Sequence, residues 1–105
     1  MTDIDLEKVM QTLSITSKDQ INLTYHALDK MNDRDLAEDW IFESLTYKKP
    51  QGILKQDSNK FKLHYNHPVK KGYDLIIVIA VISSPKKIIR VITAYEQTVK
   101  RRLRI

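Results

Sequence analysis

The groups able to handle a phosphate are gathered in the second half of the chain. Residues 46–105 hold fourteen Lys and Arg against three carboxylates, net +11, whereas residues 1–45 hold ten carboxylates against four basic groups, net −6. Lys60, Lys62 and His64 alternate along one stretch, Arg90 stands between Ile89 and Val91, and Lys100, Arg101 and Arg102 open the densest basic run. Such groups suit nucleic-acid phosphates or an acidic protein, and each phosphate contact to a single strand weakens with salt at a slope of about −0.7. The acid–base candidates are histidines, because an imidazole titrates near ~6.5. His26 has Asp29 and Lys30 one turn on, the setting of a solvated or hydrogen-bonded side chain. His64 and His67, three apart, fall on opposite faces of a strand, and without cysteine or an aligned carboxylate they lack a third metal ligand. Neither a metal nor a cofactor is expected. Gly52 and Gly72 are too far apart for a Gly-rich phosphate loop, and no Ser-His-Asp arrangement is readable.

The elements that must position these groups change period near residue 46. Before it, Thr2 or Asp3 can cap a helix with Leu6, Val9, Met10 and Leu13 at spacings of three and four. Ile21 to Leu23 is a short extended piece. Thr24 can cap a second helix, with Tyr25, Leu28 and Met31 on one side. Asn32 and Asp33 interrupt it, and Asp35 can cap a third helix whose apolar stripe is Leu36, Ala37, Trp40, Ile41, Ser44 and Leu45. Beyond Pro50 the pattern alternates. Gly52 to Gln56 and Lys60 to Asn66 read as a hairpin through Asp57-Ser58-Asn59, with Phe61, Leu63 and Tyr65 facing one way and Lys60, Lys62 and His64 the other. Tyr73 to Ile82 reads as a central strand. Lys87 to Tyr95 returns with Ile89, Val91, Thr93 and Tyr95 on one face and Ile88, Arg90, Ile92 and Ala94 on the other. Helices followed by a meander make an α+β fold, with N-terminal helices on one face of a roughly four-stranded antiparallel sheet. A length of 105 residues supports one domain.

The stretch Leu23-Thr24-Tyr25-His26-Ala27-Leu28, with Met31 and Arg34 following, and strands ending in Val91-Ile92-Thr93-Ala94-Tyr95, resembles a prokaryotic family, domain of unknown function 4258. That family is similar to the RelE/BrnT type of small ribonuclease toxins. The resemblance covers about residues 20–97, so residues 1–18 form an extra N-terminal helix, 19–97 a toxin-like core and 98–105 a basic tail. It departs from the family at Asp35, where a glycine is usual. The resemblance implies metal-independent RNA cleavage: His26 as acid or base, Arg34 and Arg90 clamping phosphate, Lys62 and His64 adding charge, and Thr93 or Tyr95 donating a hydroxyl. Each has a plainer reading: Arg34 pairing with Glu38, Arg90 snorkelling at a sheet edge, Thr93 and Tyr95 serving as ordinary strand residues.

The expected function is therefore a toxin-like endoribonuclease or RNA-binding protein, with Lys60, Lys62, His64, Lys100, Arg101 and Arg102 as nucleic-acid contacts. The alternative is a noncatalytic nucleic-acid-binding or protein-interaction module with a basic sheet face. Expected partners are RNA, an acidic antitoxin-like protein, or a second copy through an edge strand. The longest apolar run, Leu75 to Ile82, is far short of the roughly 20 residues a membrane helix needs, and the acidic N-terminus has no signal core, so a membrane partner is not expected. With no cysteine, the cytoplasm is the expected compartment.

Overall fold

The chain enters its sheet at one edge and, two helices later, re-enters it at the other. A computed structural model describes Val9, Gln11, Leu13, residues 20–82 and residues 88–99. Its elements are β1 (Ile21–Leu23), α1 (Tyr25–Asp33), α2 (Glu38–Tyr47), β2 (Gly52–Lys55), β3 (Lys60–Asn66), β4 (Tyr73–Ile82) and β5 (Ile88–Thr98). The strand order is β1-β5-β4-β3-β2. β1 runs parallel to β5, and the remaining neighbours are antiparallel. The α+β class holds, whereas the expected four-stranded antiparallel sheet is corrected to a five-stranded mixed one. Ile21 pairs with Ile89, and a three-residue segment shows no alternation from which so distant a partner could be read. Of the expected first helix, Val9 and Leu13 are buried in the core, Gln11 is exposed, and the other residues lie outside those described.

Local chemistry explains the helix boundaries. Thr24 caps α1, its Oγ1 accepting from the Ala27 amide at 3.1 Å, as its residue type and position lead one to expect. The end of α1 is a Schellman motif: the Leu36 amide donates to Met31 O at 2.9 Å and the Asp35 amide to Asn32 O at 3.3 Å. Buried Leu36 and Met31 supply the apolar contact of that motif. Asp35 sits in the left-handed region with φ 53, so it closes α1 and does not cap α2. The N-cap of α2 is Ala37, which makes no side-chain cap bond, and Glu38 and Asp39 favour the first turn through the helix dipole.

The helices cover one sheet face. Phe61, Leu63 and Tyr65 of β3, Leu75, Ile77 and Ile79 of β4, and Ile89, Val91 and Ala94 of β5 pack there with Ala27, Met31, Leu36, Ile41 and Leu45. Truncating any one of the fully buried leucines or isoleucines to alanine costs on the order of 2–5 kcal/mol. Ile76, Val78 and Ala80 are buried on the opposite face and stand apart from that core.

One irregularity decides which side chains reach that second face. The register passes from Val78↔Thr93 to Ile79↔Val91, so Ile92 is an extra residue on β5. A bulge of this kind inverts the alternation beyond it. Ala94 therefore joins Ile89 and Val91 in the core, and Thr93 and Tyr95 join Arg90 on the second face, the reverse of the strict alternation expected. Pairing by β1 ends at Val91. From there α1 takes over the edge: the Thr24 hydroxyl donates to Val91 O at 3.0 Å, and Arg34 Nη1 donates to Ala94 O at 2.7 Å. Both ends of the helix are thus tied to β5 on either side of the bulge.

Candidate nucleic-acid interface

Strand register lays the second face out as a grid. One row is Lys60, Ala80, Arg90 and Asn22; the next is Leu54, Lys62, Val78 and Thr93; the third is Gly52, His64, Ile76 and Tyr95. Directly paired residues have Cβ atoms about 4.5–5.5 Å apart, so Lys60 and Arg90 stand on either side of a single alanine. Lys60, Arg90 and Asn22 are exposed, and Lys62, Thr93 and Tyr95 half-buried. Two cations approach the Tyr95 ring, with Lys62 Nζ 5.6 Å and Arg34 Cζ 5.8 Å from its centroid. Those distances are within the range of cation–π attraction and hold the ring in place.

The expected site residues separate into those brought together and those kept apart. Arg34 reaches across to β5 instead of pairing with Glu38: besides Ala94 O, its Nη1 lies 3.3 Å from Thr93 Oγ1. Arg34, Thr93 and Tyr95 are therefore neighbours, with Lys62 also close to the ring. His26 is exposed at the opposite end of α1. Eight residues of helix separate it from Arg34, about 12 Å along the axis. His64 lies on the grid but beneath its surface, at 1% exposure, with Nδ1 3.7 Å from Oδ2 of the equally buried Asp74. Asp74 is paired in register with Gln97, so this end of the face is floored by buried polar side chains. Lys100, Arg101 and Arg102 lie outside the described residues.

His67 does a different job on the helix side. Its Nδ1 accepts the amides of Val69 and Lys70 at 3.1 and 2.9 Å, which leaves Nε2 to donate to Glu96 Oε2 at 2.5 Å. Lys70 Nζ donates to the other Glu96 oxygen at 3.0 Å, and Trp40 packs against the imidazole at 5.2 Å. Burial works to raise the Glu96 carboxyl, but the hydrogen bonds from Lys70 and His67 and the charge of Lys70 outweigh it and hold the group below the usual carboxylate range. Both ring nitrogens are committed, so His67 fastens the turn after β3 and has no free lone pair to act as a base.

Sequence reasoning missed the approach of Lys62 and Arg34 to Tyr95, because that ring's face depends on the bulge. It also passed over Lys48, Lys49, Lys70 and Lys71, whose only signal was their pairing as two Lys-Lys steps at the ends of strands.

Comparison with known proteins yields one family model, that of the MJ0788 family, matching residues 7–79. No curated protein and no solved structure matches the chain. The matching family is neither domain of unknown function 4258 nor the RelE/BrnT toxins, and the resemblance to those is corrected accordingly. The residues that carried it have structural reasons of their own: Thr24 caps α1, Ala27 and Met31 enter the core, and Val91 and Ala94 offer the carbonyls that anchor the helix.

Proposed function

The chain belongs to the MJ0788 family, and from the layout of its second sheet face we propose that it binds single-stranded nucleic acid, RNA foremost, without cleaving it. The observation that carries this is the Tyr95 ring with Lys62 and Arg34 close to it, two rows from the Lys60–Arg90 pair. Recognition of an unpaired strand needs cations for the backbone and an aromatic platform for a base, and this face carries Lys60, Lys62 and Arg90 together with Tyr95. Five exposed carboxylates, Asp29, Asp33, Glu38, Asp39 and Glu43, belong to the helix layer, which favours the sheet side for a polyanion. Binding rather than cleavage is favoured because the exposed imidazole, His26, stands about 12 Å from Arg34 along the helix, while His64 is covered.

The test is fluorescence polarisation of end-labelled single-stranded RNA in EDTA across a salt series. Binding is expected to weaken with salt, and neutralising Lys60, Lys62 and Arg90 to Gln together should lower the log–log slope by about 2. Tyr95→Ala should cost roughly 1–3 kcal/mol of binding. Salt-insensitive binding, or none at low salt, would refute the proposal. Cleavage that disappears in a folded His26→Ala protein would replace it with the ribonuclease reading.

A further inference from the structure

A second group of cations lies beyond the grid, at the end of the sheet where β3 turns into β4. The turn carries Lys70 and Lys71, both exposed, with Val69 at 70% and Tyr73 at 40% exposure beside them. Because β2 and β3 are antiparallel with Gly52 opposite His64, the chain leading into β2 lies at this same end, and it contains exposed Lys48 and Lys49 after Tyr47, itself 87% exposed. The Gln51 amide donates to His64 O and the Val99 amide to Gly72 O, which fixes both neighbouring segments to this end of the sheet. Among the described residues, Lys48, Lys49 and Lys71 have no carboxylate partner, while Lys70 is tied to Glu96.

Unpaired like charges at one end of a fold repel one another, and a bound polyanion is what relieves that repulsion. The turn that presents them is held ready by His67, which accepts two of its amides, so little ordering entropy is lost on binding. We infer that this end is a second phosphate-contacting site, Lys48, Lys49 and Lys71 extending the path of a single strand that begins at Lys60 and Arg90. The inference rests on the proposed nucleic-acid binding and adds its direction: along the strands, over the roughly 20 Å between Lys60 and Asn66 at about 3.3 Å per residue, and then over the end of the sheet. Exposed Tyr47 and Tyr73 supply further faces on which bases stack.

The experiment compares labelled RNAs of about 4 and about 16 nucleotides, the limits of site size in comparable single-strand binders, on the parent and on a Lys48→Gln, Lys49→Gln, Lys71→Gln protein. Lys70 is left in place so that the Glu96 contact and the turn persist, which circular dichroism checks. The parent should bind the longer RNA more tightly and with a steeper salt dependence. In the triple variant the longer RNA should lose about 2 from its salt slope, with the shorter RNA unaffected. An undiminished advantage for the longer RNA in the folded variant would overturn the second site and leave the first intact. Failure of the parent to bind either RNA would sink both. Binding of the parent to phosphatidylserine vesicles, with no dependence on RNA length, would overturn the inference in favour of an anionic membrane surface.

Discussion

Tyr65 offers a test in which the expected sign is unusual. The residue is fully buried on the helix side of β3, opposite Leu75, and its hydroxyl has no hydrogen-bond partner among the described residues. An unpaired buried hydroxyl costs on the order of 1–3 kcal/mol, because the water it bonded in the unfolded chain is not replaced. Tyr65→Phe keeps the ring and its packing and removes only that group, so it should stabilise the protein by about 1–2 kcal/mol. For a domain near this size, each kcal/mol corresponds to roughly 4–8 °C in Tm. Urea unfolding followed by circular dichroism should show a higher midpoint with an unchanged slope. Burial also pushes the Tyr65 phenol above the ordinary tyrosine range, starting from 10.0. With a folded value raised above the unfolded one, the protonated phenol is favoured in the native state. The parent should therefore lose stability as pH climbs past about 10, and that component should vanish in Tyr65→Phe. A lower midpoint for the phenylalanine protein would refute the reasoning, since it would mean that the hydroxyl is satisfied and stabilising.

Two further outcomes follow from the local chemistry. Asp35→Val should cost about 1–2 kcal/mol because a β-branched residue is placed at φ 53, whereas Asp35→Gly should leave stability level or raise it; equal losses in thermal melts would rule out the Schellman account. Glu96 is held below its ordinary value of 4.5, so its contribution is present above about pH 4.5 and is lost as pH falls through the folded value. The stability gap between the parent and Glu96→Gln, measured by urea unfolding, should accordingly close in acid, and a gap that widens there would exclude the Lys70 and His67 contacts as its source.

What could be read in advance was whatever short-range physics controls. Thr24 caps a helix because its hydroxyl meets an amide three residues on, a matter of one turn of backbone. Lys60 to Asn66 declares its two faces because side chains alternate, and the core takes Phe61, Leu63 and Tyr65 as that alternation requires. The long apolar run of β4 marks it as central, and it lies between β3 and β5. The segregation of acid and base by segment also carried through in part, since four of the five strands lie in the basic half while both helices lie almost wholly in the acidic one.

The site was less legible because it depends on relations between distant residues. Asp35 looked like a cap for the helix that follows it, but it closes the one before it, a choice made by where Leu36 finds Met31. Arg34 had a carboxylate four residues away and instead found a carbonyl sixty residues away, exposed because β1 stops at Val91. The short resemblance that drew attention to His26 included Thr24, Ala27 and Met31, which the helix cap and the core already require, and the family match points elsewhere.

Charge distribution, helix caps and strand faces follow from neighbours within a turn or a pleat, and the amino-acid order is sufficient for them. The parallel pairing of Ile21 with Ile89, the single extra residue at Ile92 that turns Thr93 and Tyr95 toward Lys62, and the gathering of Lys48, Lys49 and Lys71 at one end of the sheet were decided only when the strands paired. Register is a property of two strands at once: alternation within a strand tells which side chains share a face, but not which distant strand it joins or where a bulge shifts the pairing.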